Sequence, residues 1–179
     1  RRVLFRSYNR ERLRNHGFLV SHGSSTVPGY IVEEINALGG NISDAYGIDV
    51  SQLIEVSHCG INKINVDTDI RLAVTRNMRE LFAKEPALRN SASIGPIYEL
   101  LEKNKAAFDP RVFITPIMNT VMYGEIPDDD VARICKCIED GVKEVVGTLI
   151  VKFGSFGKAP KVEIVTLEQM VDRYKKGEI

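Results

Sequence analysis

Twice before residue 85 the chain runs through the same order of events: a short apolar run, a loop of small polar residues, then an amphipathic helical pattern. In the first, Phe18-Leu19-Val20-Ser21 reads as a buried strand that ends at His22. Gly23-Ser24-Ser25-Thr26 follows, then Pro28, which a first helical turn tolerates. Ile31, Ile35 and Leu38 fall at i, i+4 and i+7, and Gly39-Gly40 stops the helix. In the second, Ile61–Val66 is the strand candidate. Asp67-Thr68-Asp69 offers N-cap chemistry to a helix with Ile70, Val74, Met78 and Leu81 on one face. A short amphipathic stretch around Leu53, Ile54 and Val56 lies between them. Strand–helix–strand–helix order gives parallel strands, so it selects an α/β fold.

After Pro86 the pattern turns helical. One predicted helix carries Ile94, Ile97 and Leu101, and another, after Asp109-Pro110, carries Ile114, Ile117, Val121 and Met122. The longest begins near Asp128, with Val131, Ile134, Cys135, Ile138, Val142 and Val145 along one stripe. Its leading acids Asp128-Asp129-Asp130 suit a helix N-terminus. Gly154-Ser155-Phe156-Gly157 breaks the pattern before a last helix, where Thr166 and Gln169 have capping-box spacing.

Composition narrows the function classes. The 24 Lys and Arg residues cancel the 24 Asp and Glu residues, which argues against a nucleic-acid partner, since phosphate neutralisation needs a basic excess or face. No apolar run approaches the ~20 residues of a membrane span. Cys59, Cys135 and Cys137 are too few and too irregular for a disulfide framework, so a reducing, cytoplasmic setting is expected. Arg1–Ser7 carries basic charge without the apolar core of a secretory signal. It reads as a truncation scar or read-through sequence, with a transit peptide as the alternative, and as a non-native leader it is set apart from residues 8–179.

Two loops carry the chemistry. In His22-Gly23-Ser24-Ser25 an imidazole sits at a strand tip. Glycine lets backbone N–H groups approach a ligand, serine hydroxyls add donors, and the following helix N-terminus favours an anion. Asn65-Val66-Asp67-Thr68 repeats the arrangement. Asn65 offers donor and acceptor to a sugar hydroxyl or carbonyl, and Thr68 can donate to phosphate. Singly, each feature has a plain structural reading: a Gly-Ser-Ser turn is often only a cap, a lone His at a strand end is often structural, and Asp67 and Asp69 could simply cap their helix. Two such loops in succession fit the phosphate site that barrels place after strands 7 and 8.

Taken together the motifs resemble the class II fructose-bisphosphate aldolases. The resemblance rests on Leu19-Val20-Ser21-His22-Gly23-Ser24-Ser25-Thr26-Val27-Pro28, Gly39-Gly40-Asn41-Ile42, Tyr46-Gly47-Ile48 and Gly60–Ala73, which contains Lys63-Ile64-Asn65-Val66-Asp67-Thr68-Asp69. Phe108-Asp109-Pro110-Arg111, Phe153–Ala159 and Arg173–Glu178 extend it, so that it covers roughly residues 15–179. It implies an α/β fold: the C-terminal portion of a TIM (β/α)8 barrel, strands 7 and 8, within residues 8–82, and a helical C-terminal extension of the same domain over 83–179. With 179 residues against the roughly 250 of a complete barrel, the barrel is incomplete as given.

The resemblance further implies a zinc-dependent aldolase cleaving fructose 1,6-bisphosphate reversibly into dihydroxyacetone phosphate and glyceraldehyde 3-phosphate. His22 would be one of three histidine zinc ligands. Gly23, Ser24 and Ser25 would hold the phosphate of the dihydroxyacetone phosphate portion, with Asp67 and Thr68 closing on it and Asn65 and Val66 lining that portion. Zn2+ would act as a Lewis acid on the ketone oxygen, and a separate carboxylic acid would handle the proton on the other triose. The other two zinc histidines and the catalytic Asp belong to the family's N-terminal half. Here the remaining histidines, His16 and His58, have no partner at metal-ligand spacing, and Cys135-x-Cys137 points its thiols to different faces of a helix. The chain is therefore expected to be inactive alone, as part of an enzyme that is a homo-oligomer when complete. Tagatose-bisphosphate aldolase is the nearest alternative, and a non-catalytic phosphate-binding fragment is another. A Schiff-base lysine at Lys63 and a Ser24 or Ser25 hydrolase with His22 are weaker still.

Overall fold

The computed structural model describes residues 19–43, 45–162 and 164–178. Arg1–Ser7, His16 and Phe18 lie outside the described residues, as does the side chain of Val121. Strand β1, Leu19–Ser21, pairs in parallel with β2, Ile61–Ile64. Leu19 faces Ile61, Val20 faces Lys63 and Ser21 faces Ile64, with an irregularity between Leu19 and Val20. Helices α1, Gly29–Ala37, and α2, Val50–Ser57, connect the strands, and α3, Thr68–Lys84, leaves β2. The repeated strand–loop–helix order of the sequence is thus a parallel pair, as expected of a strand that returns through a helical crossover.

Helix α3 is the axis of the described structure. Its buried side, Leu72, Ala73, Val74, Met78 and Phe82, packs against the 24-residue α6, Asp129–Lys152. The two backbones approach so closely that a Cβ on Gly141 would stand 2.8 Å from the Val74 nitrogen. Only glycine fits there without a shift of one helix. Helix α4, Gly95–Lys103, closes one end of this core through Ile97 and Leu101, while Ile31 and Ile35 of α1 close the other. Arg76 of α3 pairs with Glu34 of α1 at 2.8 Å and with Glu144 of α6, tying the three helices together.

Local signals acted as expected at several helix ends. Gly39 and Gly40 return their N–H groups to Asn36 and Ile35, ending α1. The Asp128 carboxylate accepts from Val131 N at 2.9 Å and starts α6. Thr166 and Gln169 form a reciprocal capping box on α7, Leu167–Lys175.

The stretch after Asp109 differs from the single helix expected of it. It consists of tight turns over Pro110–Val112 and Thr115–Ile117, followed by a six-residue helix α5, Met118–Tyr123. Pro116 lacks the N–H that an uninterrupted helix would require, so the chain breaks there. Ile114 and Ile117 are still buried, whereas Met122 is exposed.

Candidate functional site

Because β1 and β2 are parallel, both strands deliver their loops to the same edge, the carboxyl end where α/β folds assemble sites. Asn65 continues the pairing one residue past β2, donating its N–H to Ser21 O at 3.0 Å. Its side-chain Nδ2 then lies 3.1 Å from His22 Nδ1. With the amide nitrogen donating, Nδ1 accepts and the ring proton sits on Nε2. With the amide turned over, Nδ1 donates and Nε2 carries the free electron pair. Only the second arrangement leaves exposed His22 able to bind a cation through Nε2.

The first loop turns at Gly23, whose φ of 64° is left-handed. Ser24 is wholly buried, its hydroxyl 2.6 Å from Ser21 Oγ, so its side chain serves the loop itself. Among the described residues, nothing takes the N–H groups of Gly23, Ser24 or Ser25. Ser25 Oγ accepts from Thr68 N at 3.1 Å and, at longer range, from Asp67 N at 3.4 Å. The α3 N-terminus is therefore capped by the other loop. This corrects the expectation that Asp67 and Asp69 cap their own helix. Asp67 stands at the N-cap position without a cap bond, and its exposed carboxylate instead takes Arg71 Nε at 2.9 Å. Val66 and Thr68 are half-buried, and the Thr68 hydroxyl has no partner among the described residues.

Arg71 carries the second loop onward, donating from NH1 to Asp109 Oδ2 at 2.6 Å. The Arg111 side chain also hydrogen-bonds Asp109, and that bond, helped by the charges of both arginines, holds the Asp109 carboxyl down at about 2 against the opposing effect of its partial burial. Asp69 points the other way. Only 1% exposed, it accepts from Thr26 N at 3.0 Å and Thr26 Oγ1 at 2.7 Å with one oxygen, and from Val27 N at 2.9 Å with the other. Val27 has a φ of 46°, a conformation that costs a β-branched residue about 1–3 kcal/mol unless its surroundings hold it. Gly47 completes the support. A Cβ there would fall 2.1 Å from the Thr26 carbonyl, and Ile48 N donates to Ser25 O at 3.0 Å.

Asp69 and Gly47 are the residues that sequence reasoning passes over. Asp69 reads as a helix-start acid, and nothing local signals a partner 43 positions back. A cavity of about 280 Å³ borders this clamp through Thr26, Val27 and Asp69 and extends to Asp49 and Lys152. It is separate from the loop tips, since neither His22, Asn65 nor Thr68 lines it.

Other candidates are not gathered here. Lys63 lies exposed on β2, and His58 is exposed at the end of α2. Cys137 directs its Sγ at Asn77 O, 3.6 Å away, and burial pushes its thiol up to about 11, so it stays protonated. Among the described residues there is no group of three or more His, Cys, Asp or Glu that could hold a metal ion, and none of their helices is long and apolar enough to cross a membrane.

The sequence is similar to those of known proteins. A family described as fructose-bisphosphate aldolase class-II matches residues 6–158, so Arg6 and Ser7 fall inside the match and 159–179 outside it. The fructose-bisphosphate aldolase of Xanthobacter flavus is 34% identical over 161 residues, covering 90% of this chain and 34% of that protein. That of a Nostoc species is 32% identical over 161 residues, with the same 90% and 34% covered. The fructose-bisphosphate aldolase class 2 of a Synechocystis species is 32% identical over 168 residues, covering 94% of this chain and 36% of the relative. The chain thus spans about a third of the length of the curated relatives it matches. With the family matched over most of its length, the chain belongs to the class II fructose-bisphosphate aldolases.

Proposed function

We propose that this chain supplies the phosphate-holding part of an aldolase site that cleaves fructose 1,6-bisphosphate reversibly to dihydroxyacetone phosphate and glyceraldehyde 3-phosphate. In this reading β1 and β2 are strands 7 and 8 of a TIM barrel, and the rest of the barrel comes from the greater part of the relatives' length that this chain does not span. The observation that carries the reading is the pair of uncommitted N–H groups at exposed Gly23 and half-buried Ser25, beside the N-terminus of α3. Neighbouring backbone donors around a left-handed glycine form a concavity suited to a phosphate, and a helix N-terminus adds favourable charge.

Each residue then has a defined task. The N–H groups of Gly23 and Ser25 hold the phosphate of the dihydroxyacetone phosphate portion, and buried Ser24 between them fixes the loop through Ser21. Thr68 donates its free hydroxyl, and Asp67 and Val66 border the same portion. Each charge-assisted bond of this kind contributes about 1.5–3 kcal/mol. Asn65, at the side of His22, orients the carbons next to the bond that breaks. The general acid and base is a carboxyl group from outside this chain.

Zinc fits these residues only in part. His22 is a single donor, and the described residues bring it no second or third ligand, so a zinc centre needs donors from elsewhere. When bound, zinc supplies Lewis-acid withdrawal of charge from the ketone oxygen. His22 serves it by holding its ring against Asn65 with the amide turned so that Nε2 is free. On its own the chain binds the triose phosphate without cleaving the ketose bisphosphate.

Titration of the isotopically labelled chain with dihydroxyacetone phosphate, followed by amide NMR, tests the reading. Shifts centred on Gly23, Ser24, Ser25 and Thr68 are expected. Absence of binding, or shifts confined to other surfaces, would overturn it.

A further inference from the structure

We propose that Asp69 is a positioning residue for the phosphate loop, acting through Thr26 and Val27 without touching the ligand. The inference rests on the proposed phosphate site. An acid in the first turn of a helix ordinarily serves its own helix. Asp69 instead spends both oxygens on a loop 43 and 42 positions earlier, and all three of its donors come from two adjacent residues. Those residues directly follow Ser25, the second of the two free N–H groups and the residue whose hydroxyl caps α3.

The arrangement sets where the donors point. Asp69 directly follows Thr68, and its partner Thr26 directly follows Ser25. One buried carboxylate thus fixes the two loops relative to each other through the neighbours of their ligand-facing residues. It holds Val27 in its left-handed conformation by taking its N–H, and Gly47 bars Thr26 from relaxing backwards, because its missing Cβ is the space Thr26 occupies. Loop and helix are thereby ordered before the anion arrives, so that binding does not have to order them. Asp69 is therefore a determinant of affinity for the phosphate group itself, whatever sugar carries it.

The test measures binding of inorganic phosphate and of dihydroxyacetone phosphate to the chain by amide NMR, with thermal melting alongside. Asp69→Asn keeps the shape but presents an amide donor to a loop that offers only donors from its backbone. Thr26→Val removes one hydroxyl and leaves the carboxylate in place. Asp69→Asn is expected to weaken phosphate binding about tenfold, Thr26→Val about threefold, and Thr26→Ser to restore the original affinity. Val131→Ala, a core change remote from the loops, is expected to lower the melting temperature without changing phosphate affinity. If the unaltered chain binds neither ligand, the phosphate site itself is refuted. If it binds and Thr26→Val and Asp69→Asn bind as tightly, or weaken no more than Val131→Ala at equal loss of melting temperature, the role of Asp69 is overturned while the site stands.

Discussion

The α3–α6 body and the loop end of the strand pair are held together by different physics. In the body, Phe82, Met78 and Leu72 are buried, and the two helices approach backbone to backbone at Gly141. At the loop end the strands are half-exposed and apolar contact is sparse. The loops are fixed there by polar links: Ser25 to the α3 N-terminus, Asp69 to Thr26 and Val27, Asn65 to His22, and Arg71 to Asp109. Packing is non-directional and tolerates small shifts of angle, whereas hydrogen bonds lose strength quickly when misdirected. Hence stability resides in the first region and loop geometry in the second, and substitutions in each are expected to read out differently.

The strongest challenge to that division is Phe82→Ala. It removes a ring that is 1% exposed and 5.4 Å from the Tyr98 ring, and is expected to cost about 3–5 kcal/mol in denaturant unfolding while leaving the loop amide shifts in place. Gly141→Ala comes next. Its methyl group would meet Val74 N at 2.8 Å, and pushing α3 from α6 is expected to cost about 1–3 kcal/mol by the same measurement. Movement of the Gly23–Ser25 amides in either variant would break the comparison.

Ser25→Ala tests the boundary itself. It uncaps Thr68 N, so calorimetry is expected to register about 1 kcal/mol of lost stability, and the phosphate shifts are expected to weaken as well. The smallest effect concerns pH. Asp109 is depressed to about 2 in the folded chain from an ordinary 3.8. The stability this contributes is complete above about pH 4 and is lost as pH falls through about 2. Solvent screening keeps it below about 1 kcal/mol, and Asp109→Asn is expected to flatten that part of an acid-unfolding curve.

The two regions also differ in how far sequence foretells them. Helix ends were legible because their signals act within three or four residues: Asp128 on Val131, Thr166 on Gln169, Gly39 on Asn36. The parallel strand pair was legible from element order. The loop residues His22, Gly23 and Asn65 stand out as residue types at strand ends, and the structure does bring His22 and Asn65 side by side. The clamp was not legible, since Asp69 and Thr26 meet only after two helices have folded between them. The same distance explains the misreading of Asp67, whose capping task falls to Ser25, and Pro116 explains the broken helix after Asp109.

The cap on α3 has a consequence for how the helix opens. Ser25 lies 43 residues from Thr68, so the first turn of α3 is capped only while the distant loop keeps its place beside it. From Leu72 onward the helix is buried against its neighbours and has no such dependence. Fraying is therefore expected to start at the loop end and stop at the core, so hydrogen exchange at the Thr68 amide reports on the placement of the distant loop before it reports on unfolding of its own helix.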